Sequence, residues 1–364
     1  MPRSPLLTSA IPLTGWAQDR LDLLAGLVPS AVLPEAGALL GERAASHGFS
    51  VPARISCQGG CRFYRAHDGW VALNLARRAD RDLLPALFSS DSVIDLDAAF
   101  AGIAQDEAVA RGRLLGMAIA GLSETPVSPA LAVTARGPAR GAPARRPRVL
   151  DLTALWAGPL AGRLLHLCGA LVTRVVSAGR EDPLEHSDPV HFASLAAGKA
   201  SCRLDLRTGE GRAQLASLIA ASDIVIEAAR PRALRQLGFD ADQLVRERPG
   251  LVWLSITGHG IAAEAGNWVG FGDDTAAAGG LSARLHAATG QVGFVGDAIA
   301  DPLSGILAAQ TAMACHRRGE AARIVLSMSA SVALAITEDR TLTRDLVAWG
   351  ARIGRPLVAP AVPC

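Results

Sequence analysis

The sequence predicts an α/β protein with an open, mostly parallel, Rossmann-like sheet, helices on both faces of that sheet, and a smaller α+β domain. Three observations support this prediction. From residue 148 onward, short apolar runs alternate with segments whose apolar residues recur at helical spacing, which is typical of β-α-β units. These runs are apolar on both faces, as are parallel strands covered by helices. The first 123 residues instead mix helix and strand patterns, which favours a small α+β unit.

We therefore predict three segments: a small α+β domain at 1–123, a linker at 124–147 and a large α/β domain at 148–364. The linker is predicted from composition, since this stretch is rich in Pro, Ala, Gly and Arg and can bury little apolar surface. In the small domain, helices are predicted at 19–27, 31–47, 80–88, 96–104 and 108–118, and a strand at 63–76.

The large domain is predicted to begin with a β-α-β unit from Arg148 to Ser177. A short apolar run is followed by a turn at Gly158 and Pro159, a helix-length segment and a second β-branched run. Pro159 suits the first helical turn, and Gly158 would let a ligand approach the backbone at the edge where open parallel sheets bind ligands. The same turn is compatible with no ligand, so this stretch alone leaves both interpretations open.

The alternation continues to the end of the predicted sheet. Strands are predicted at 149–153, 172–177, 202–206, 223–227, 251–257 and 323–328. Helices are predicted at 160–167, 210–221, 231–237, 240–247, 274–281 and 302–318.

Composition excludes several classes of protein. The chain has 364 residues, 50% of them hydrophobic, and a net charge of +2, so it can bury a large core, and a dedicated nucleic-acid binder is not expected. No apolar stretch is long enough for a membrane span, and the N-terminus does not resemble a signal peptide, so a cytoplasmic location is predicted. Six cysteines are too few for a disulfide scaffold, and the Cys57/Cys61 pair favours a structural role over a metal site.

Asp301 is the first candidate for chemistry. It precedes Pro302 and an apolar helix, so one interpretation is an N-cap that accepts backbone hydrogen bonds. The other interpretation is a nucleophile, because a helix N-terminus favours the ionised carboxylate. The residues alone leave both open.

Other polar residues fall at or beyond the predicted strand ends, where a phosphorylated ligand would need positive charge and backbone donors. They are Lys199, Asp205, Arg207, Arg230 and Arg232. His259, the Asp273-Asp274 pair and His286 follow the 251–257 strand. No G-x-S-x-G, H-E-x-x-H, Walker A or G-x-G-x-x-G pattern is present, which argues against hydrolase, zincin, P-loop and nicotinamide functions.

Six blocks, read in order, resemble the class III CoA-transferases (CaiB/BaiF type), the family of formyl-CoA transferase, carnitine CoA-transferase and α-methylacyl-CoA racemase. The blocks are VLDLTALWAGPLAGRLLHLCGALVTRV, AAGKASCRLDLRTGEGR, DIVIEAARPRALRQLGFD, PGLVWLSITGHG, FGDDTAAAGGL and GDAIADPLSGILAA. The N-terminal RAHDGWVALNLARRADRDLLPAL is similar to the family's small domain, which usually follows the large one. The order therefore resembles a rearranged subgroup.

The resemblance implies an intertwined homodimer that acts on an acyl-CoA and a carboxylic acid acceptor, with no metal, no permanently bound cofactor, no nucleic acid and no membrane. It places the catalytic aspartate at Asp301, whose carboxylate would attack the thioester to give an acyl-aspartyl anhydride and then an enzyme-CoA thioester. Block matching places CoA contacts at Leu155, Trp156, Ala157, Leu204, Asp205, Leu206, Arg207, Arg230 and Phe271.

Three departures from the family pattern keep alternatives open. Val176 and Ser177 stand where many relatives have an acidic and a basic residue, with Arg180 as a candidate replacement. Phe271 stands where the racemase branch has a histidine base, and a phenyl ring cannot take up a proton. No counterpart of the glycine-rich loop of formyl-CoA transferase is present. CoA transfer is the first hypothesis; an acyl-CoA racemase or isomerase and a non-catalytic CoA-binding homologue are the alternatives.

Overall fold

Two sheets organise the chain in the computed structural model, which describes residues 11–92, 95–141, 145–179, 181–230 and 232–357. The strands are β1 (Cys61–Arg65), β2 (Trp70–Asn74), β3 (Ala118–Gly121), β4 (Leu131–Gly137), β5 (Arg148–Leu152), β6 (Leu171–Ser177), β7 (Ala200–Leu204), β8 (Ile224–Glu227), β9 (Val252–Thr257) and β10 (Ala321–Ser327). Strands β1 to β3 form a small antiparallel sheet, and the other strands form a seven-stranded sheet in the order β4-β10-β9-β8-β5-β6-β7.

The large sheet is parallel except for β4, which pairs antiparallel with β10. From β5 the chain adds β6 and β7 on one side, then β8, β9 and β10 on the other. Strand order therefore reverses between β5 and β8, and the crevice at the carboxyl ends of these two strands is where doubly wound sheets bind ligands. The predicted fold class is confirmed.

Helices cover the sheets and connect the strands. They are α1 (Thr14–Leu27), α2 (Ala36–His47), α3 (Arg78–Asp82), α4 (Leu84–Phe88), α5 (Leu96–Ala101), α6 (Gln105–Leu114), α7 (Ala157–Leu167), α8 (Leu184–Ser187), α9 (Pro189–Ala196), α10 (Gly209–Ala221), α11 (Ala233–Gln236), α12 (Ala241–Glu247), α13 (Gly272–Ala278), α14 (Leu281–Thr289), α15 (Ala300–Arg317), α16 (Met328–Glu338) and α17 (Leu342–Gly350), with a 3₁₀ turn at Ala263–Asn267. Among the described residues, no helix is both long and apolar enough to cross a lipid bilayer.

The segment predicted as a linker is in part a strand, so that prediction was wrong for residues 131–137. β4 lies at the edge of the large sheet, and its residues pair with β10 across a bulge. An edge strand needs only one hydrogen-bonded neighbour and tolerates polar and exposed side chains, which is why its composition resembled a linker. The single strand predicted at 63–76 is also two strands, β1 and β2, joined by a turn.

The first two helices contribute to the core of the large sheet. Leu21 of α1 and Leu40 of α2 are buried in one cluster with Leu160 of α7 and Leu303 of α15. A second core lies between β1–β3 and α4–α6, around Leu73 and Phe100. The domain boundaries at residues 123 and 148 stay a prediction, but this packing brings side chains of α2 next to α15.

Candidate functional site

Asp301 lies in the first turn of α15, and its side chain reaches a different element. The helix begins at Ala300, with Ile299 in the flanking position, so the N-cap interpretation of Asp301 is wrong. Its carboxylate instead lies beside the backbone N–H of Ala157, the first residue of α7, and this N–H lowers the pKa of Asp301. Asp301 is therefore next to the turn that follows β5.

Close packing of α7 against α15 accounts for this contact. A Cβ atom added at Gly305 would lie 2.6 Å from the Ala157 carbonyl oxygen and 3.1 Å from Leu160 Cβ, so only glycine allows the helices to approach this closely. Asp301 precedes Gly305 by four residues and lies on the same face of α15. The glycine in DPLSG thus brings the carboxylate to the start of α7.

Two further aspartates and one arginine share this site. Asp273 is in the first turn of α13, and Asp297 lies just before α15. Arg43 of α2 donates two hydrogen bonds to Asp297, from Nε to Oδ2 and from Nη2 to Oδ1, both 2.6 Å long. This pair is buried, whereas Asp273 and Asp301 are partly buried.

The electrostatics of the site raise the pKa of Asp301 and of Asp273 toward neutral pH. Burial raises the pKa of Asp301 to about 7; the charge of Arg43 and the Ala157 N–H lower it, and the nearby Asp273 and Asp297 raise it. Burial and the charge of Asp297 likewise raise the pKa of Asp273 to about 7. A carboxylate that titrates near pH 7 can act as a nucleophile or exchange a proton under physiological conditions.

The backbone around Asp301 is strained and tightly fitted. Ala298 has φ of 43°, a left-handed conformation uncommon for alanine, and its N–H donates to Asp273 Oδ1 at 3.0 Å. Gly272 has no room for a side chain, because an added Cβ would overlap Asp301 Oδ2 and the Ala298 carbonyl oxygen. Strain of this kind persists only where the surroundings impose it, which marks this loop as a candidate site.

The turn after β5 forms the other side of the site. Leu155 has φ of 66°, and its N–H donates to the Asp182 carboxylate at 3.2 Å. Trp156 is buried, with the Arg43 guanidinium over its ring at 4.6 Å and the His191 ring against it, edge to face, at 4.6 Å. Arg43 therefore contacts both Asp297 and the residue before Ala157.

The remaining predicted CoA positions are spread along the same edge of the sheet. Leu204 ends β7 with its side chain buried in the core, and Leu206 is partly buried. The exposed Arg207 pairs with Asp205 at 2.8 Å. Arg230 is exposed beyond β8, and Phe271 flanks α13, with its N–H donating to Asp274. The structure thus joins Trp156, Ala157 and Asp301 directly, but it shows no contact from Arg207 or Arg230 to them.

Two expectations from the sequence were wrong. Lys199 cannot serve as a free cation, since its side chain is 1% exposed, pairs with Asp151 at 2.8 Å and donates to the Pro159 carbonyl at 2.7 Å. Gly158 does not open the turn to a ligand, because a Cβ there would overlap the side chain of Thr153. Arg180, proposed as a substitute cation, lies outside the described residues.

Sequence reasoning missed Arg43 and Asp297. A signal for Arg43 was present, since it follows Leu39 and Leu40 at helical spacing and so occupies the apolar face of α2. A charged residue on an apolar face needs a buried partner of opposite charge. That partner, Asp297, is 254 residues away, and only the folded structure identifies it.

One groove among the described residues lies away from Asp301. It has a volume of about 740 Å³ and is lined by Arg54, Arg65, Trp70 and His286, among others, but by none of the residues around Asp301. The candidate site is therefore identified by its chemistry and its backbone strain, not by this groove.

Comparisons with known proteins identify the family of the chain. The profile of CoA-transferase family III matches residues 147–355. A succinyl-CoA–D-citramalate CoA-transferase of Chloroflexus aurantiacus is 34% identical over 179 residues, which is 47% of this chain and 44% of that protein. A formyl-CoA:oxalate CoA-transferase of Streptomyces avermitilis is 34% identical over 119 residues, 31% of this chain and 29% of that protein.

A crystal structure of a hypothetical protein from Mycobacterium tuberculosis, Rv3272, is 28% identical in sequence and superposes with a TM-score of 0.49, covering 56% of this chain and 60% of that one. The chain spans less than half the length of the two curated relatives described above.

Proposed function

The chain belongs to CoA-transferase family III, and on that premise we propose that it moves CoA from an acyl-CoA thioester to a free carboxylic acid, with Asp301 as the nucleophile. The observation that carries the proposal is the placement of a carboxylate with a pKa of about 7 against the Ala157 N–H, at the edge of the sheet where strand order reverses. Succinyl-CoA–D-citramalate and formyl-CoA:oxalate CoA-transferases are among its relatives.

The proposed reaction proceeds through four acyl transfers. An oxygen of ionised Asp301 attacks the thioester carbonyl carbon, the C–S bond breaks, and CoA leaves as a thiolate, giving an acyl-aspartyl anhydride. The thiolate then attacks the aspartyl carbonyl and releases the donor acid, leaving an enzyme-CoA thioester. The acceptor carboxylate attacks this thioester, its C–S bond breaks, and CoA leaves again as a thiolate, giving a second anhydride. The thiolate finally attacks the acceptor's carbonyl, which releases the new acyl-CoA and regenerates Asp301.

The surroundings of Asp301 suit these steps. The Ala157 N–H fixes one end of the carboxylate, so that attack begins from a held geometry. The raised pKa makes the carboxylate more basic than an exposed aspartate, and it still leaves much of it ionised at neutral pH. A buried carboxylate also loses fewer ordered waters when it reacts.

We propose that CoA lies across the carboxyl ends of β5 and β8, with the Leu155–Ala157 turn and Arg230 as contacts. The proposed CoA contacts continue to the end of β7, with Arg207 and the backbone at Leu204–Leu206. Phe271 lies on the side of Asp301, next to Gly272. Arg207 and Arg230 are exposed and thus accessible to a phosphate group. An intertwined homodimer is part of the proposal, and light scattering after size-exclusion chromatography tests it.

Trapping of the covalent intermediate tests the nucleophile. Wild type and Asp301→Asn are incubated with acetyl-CoA or succinyl-CoA, treated with hydroxylamine or borohydride, and digested for mass spectrometry. We expect wild type to carry a hydroxamate or a reduced alcohol at Asp301, and the variant to carry neither while retaining its circular dichroism spectrum. Modification at another residue, or full exchange by Asp301→Asn, would refute the assignment.

Untreated wild-type protein separates the alternative functions in two further assays. Exchange of the substrate's α-proton with deuterated water, without an acceptor acid, would indicate a racemase or isomerase. Tight CoA binding with no turnover across a panel of acyl-CoA and acid pairs would indicate a non-catalytic homologue. Phe271 argues against the first alternative, since it stands where the racemase branch has a histidine base.

A further inference from the structure

Arg43 connects three parts of the candidate site, although it comes from the N-terminal helix α2. Its guanidinium donates two hydrogen bonds of 2.6 Å to Asp297, with 9% and 1% of the two side chains exposed. Its face covers the Trp156 ring at 4.6 Å. A planar guanidinium can make a bidentate pair and an aromatic stack at the same time, which a lysine ammonium cannot.

The charged groups that face Asp301 come from three elements. Arg43 belongs to α2, Asp273 to α13, and Asp297 to the segment before α15. Helix α7 contributes the Ala157 N–H. Helix α9 contributes His191, against Trp156; burial lowers its pKa, and its ring nitrogens have no hydrogen-bond partner among the described residues.

Helix α1 packs against α15 with apolar side chains. These are Trp16, Ala17, Leu21 and Leu24. The site therefore holds three carboxyl groups and, among the described residues that face Asp301, one cation. If Arg43 were neutral, Asp297 would be a buried charge without a partner, four residues from Asp301.

We propose that Arg43 is a positioning residue for Asp301: it neutralises Asp297 and holds the Trp156 turn, so that Asp301 can ionise at neutral pH in contact with the Ala157 N–H. Through Asp297 it supports the strained segment at Ala298, and through Trp156 it supports the residue before the N–H donor. The inference rests on the proposed function for its catalytic consequence, but not for its electrostatic one.

A set of charge variants tests the proposal. Arg43→Gln is expected to move the acid limb of the pH profile of kcat/KM to higher pH by about one unit. That is roughly a fivefold to eightfold loss at pH 6.5 to 7, which recovers at higher pH. Asp297→Asn is expected to shift it downward, because a negative charge is removed. The double variant Arg43→Gln/Asp297→Asn is expected to return the limb toward the wild-type position.

Two controls make the outcome specific. Arg163→Gln breaks a neighbouring partly buried pair, Arg163 with Glu42 at 2.9 Å, and should leave the acid limb in place. A purely structural role of Arg43 predicts that the double variant is as impaired as Arg43→Gln at every pH. That result, or an unshifted limb in Arg43→Gln, would overturn the proposal.

A second readout does not depend on turnover. Carboxyl ¹³C NMR, with the Asp301 resonance assigned from its loss in Asp301→Asn, gives the titration midpoint of Asp301 in each variant. We expect an upward shift in Arg43→Gln and a downward shift in Asp297→Asn. If wild type shows no CoA transfer but these shifts occur, the proposed function fails and the inference about Arg43 stands. If Arg43→Gln does not fold, an unshifted midpoint in Asp297→Asn still overturns it.

Discussion

Two aspartates at opposite ends of the strands of the large sheet, Asp223 and Asp301, behave in opposite ways. Asp223, at the amino edge just before β8, accepts hydrogen bonds from Arg140 at 2.7 Å, from Arg145 at 2.7 and 2.8 Å, and from the Arg148 N–H at 2.9 Å. Burial opposes its ionisation, but these donors outweigh it and lower its pKa. At Asp301 the charge of Arg43 and the Ala157 N–H favour ionisation, but burial and two nearby acids outweigh them and raise its pKa to about 7.

The difference separates a structural carboxylate from a reactive one. Asp223 has enough donors to satisfy its oxygens, so it fastens the starts of β5 and β8 and has little left to offer a substrate. Asp301 is under-satisfied, so the fold holds it at a cost that a ligand or a reaction can relieve. Burial opposes ionisation at both places, but only Asp223 has enough hydrogen-bond donors to outweigh it.

The largest expected effect is on activity. Asp301→Asn should reduce CoA transfer by at least about 1,000-fold, since the nucleophile is lost, whereas Asp223→Asn should change kcat/KM by less than about threefold in the folded enzyme. Exchange of CoA between a labelled acid and an acyl-CoA, measured by chromatography, checks both variants. Comparable losses in the two variants would remove the distinction between the clusters.

The stability effects should have the reverse order. Asp223→Asn should lower the free energy of unfolding by about 1–3 kcal/mol, because two arginines lose their partner and Arg140 is only partly exposed. Asp301→Asn should be neutral or stabilising at pH 8, where it removes a carboxylate that is costly to ionise. Urea denaturation at pH 8, followed by circular dichroism, gives both values. A larger loss in Asp301→Asn than in Asp223→Asn would contradict this order.

The pH dependence of stability extends the same comparison. Asp273, Asp274 and Asp301 each have a pKa raised from 3.8 to about 7, so the folded state keeps protons there that the unfolded state loses. Their favourable contribution is complete below pH 4 and is lost as the pH rises through about 7, whereas that of Asp223 is lost in acid. We expect the melting temperature to fall by roughly 2–5 °C from pH 6 to pH 8, and less in Asp301→Asn. A melting temperature that rises over this interval would contradict the assignment.

The fold was largely predictable from sequence because buried parallel strands are continuous apolar runs. All six predicted large-domain strands have counterparts in β5 to β10. Strand β3, Ala118–Gly121, was not predicted; the helix predicted at 108–118 includes only its first residue, and Ala and Gly have weak strand preferences. β4 was assigned to a linker, since an edge strand carries polar residues and lies among prolines and glycines.

The candidate site was predictable only in part. Asp301 and the Trp156 turn could be found because each is local to one block of sequence, although which role Asp301 has could not be decided from spacing. Lys199 was placed at a ligand edge but is sequestered by Asp151, and Arg43 was passed over. Both errors have one cause, because ion pairs between distant segments leave no local pattern in the sequence. Which charged side chains are available at a site is therefore known only from the tertiary structure.

The smaller of the two expected effects on activity concerns the fit around Asp301. Gly272→Ala would insert a methyl group between Asp301 Oδ2 and the Ala298 carbonyl, so the carboxylate must move away from the Ala157 N–H. A displacement of this size at a reacting group should lower kcat by roughly 10-fold to 100-fold. Gly209→Ala is the matched control, since it is also the first residue of a helix and its added Cβ meets nothing within 4 Å. If both alanine variants keep wild-type kcat, the activity of Asp301 does not depend on its close fit against Ala157 and Ala298. Asp301 and Asp223 would then differ only in the charges that surround them.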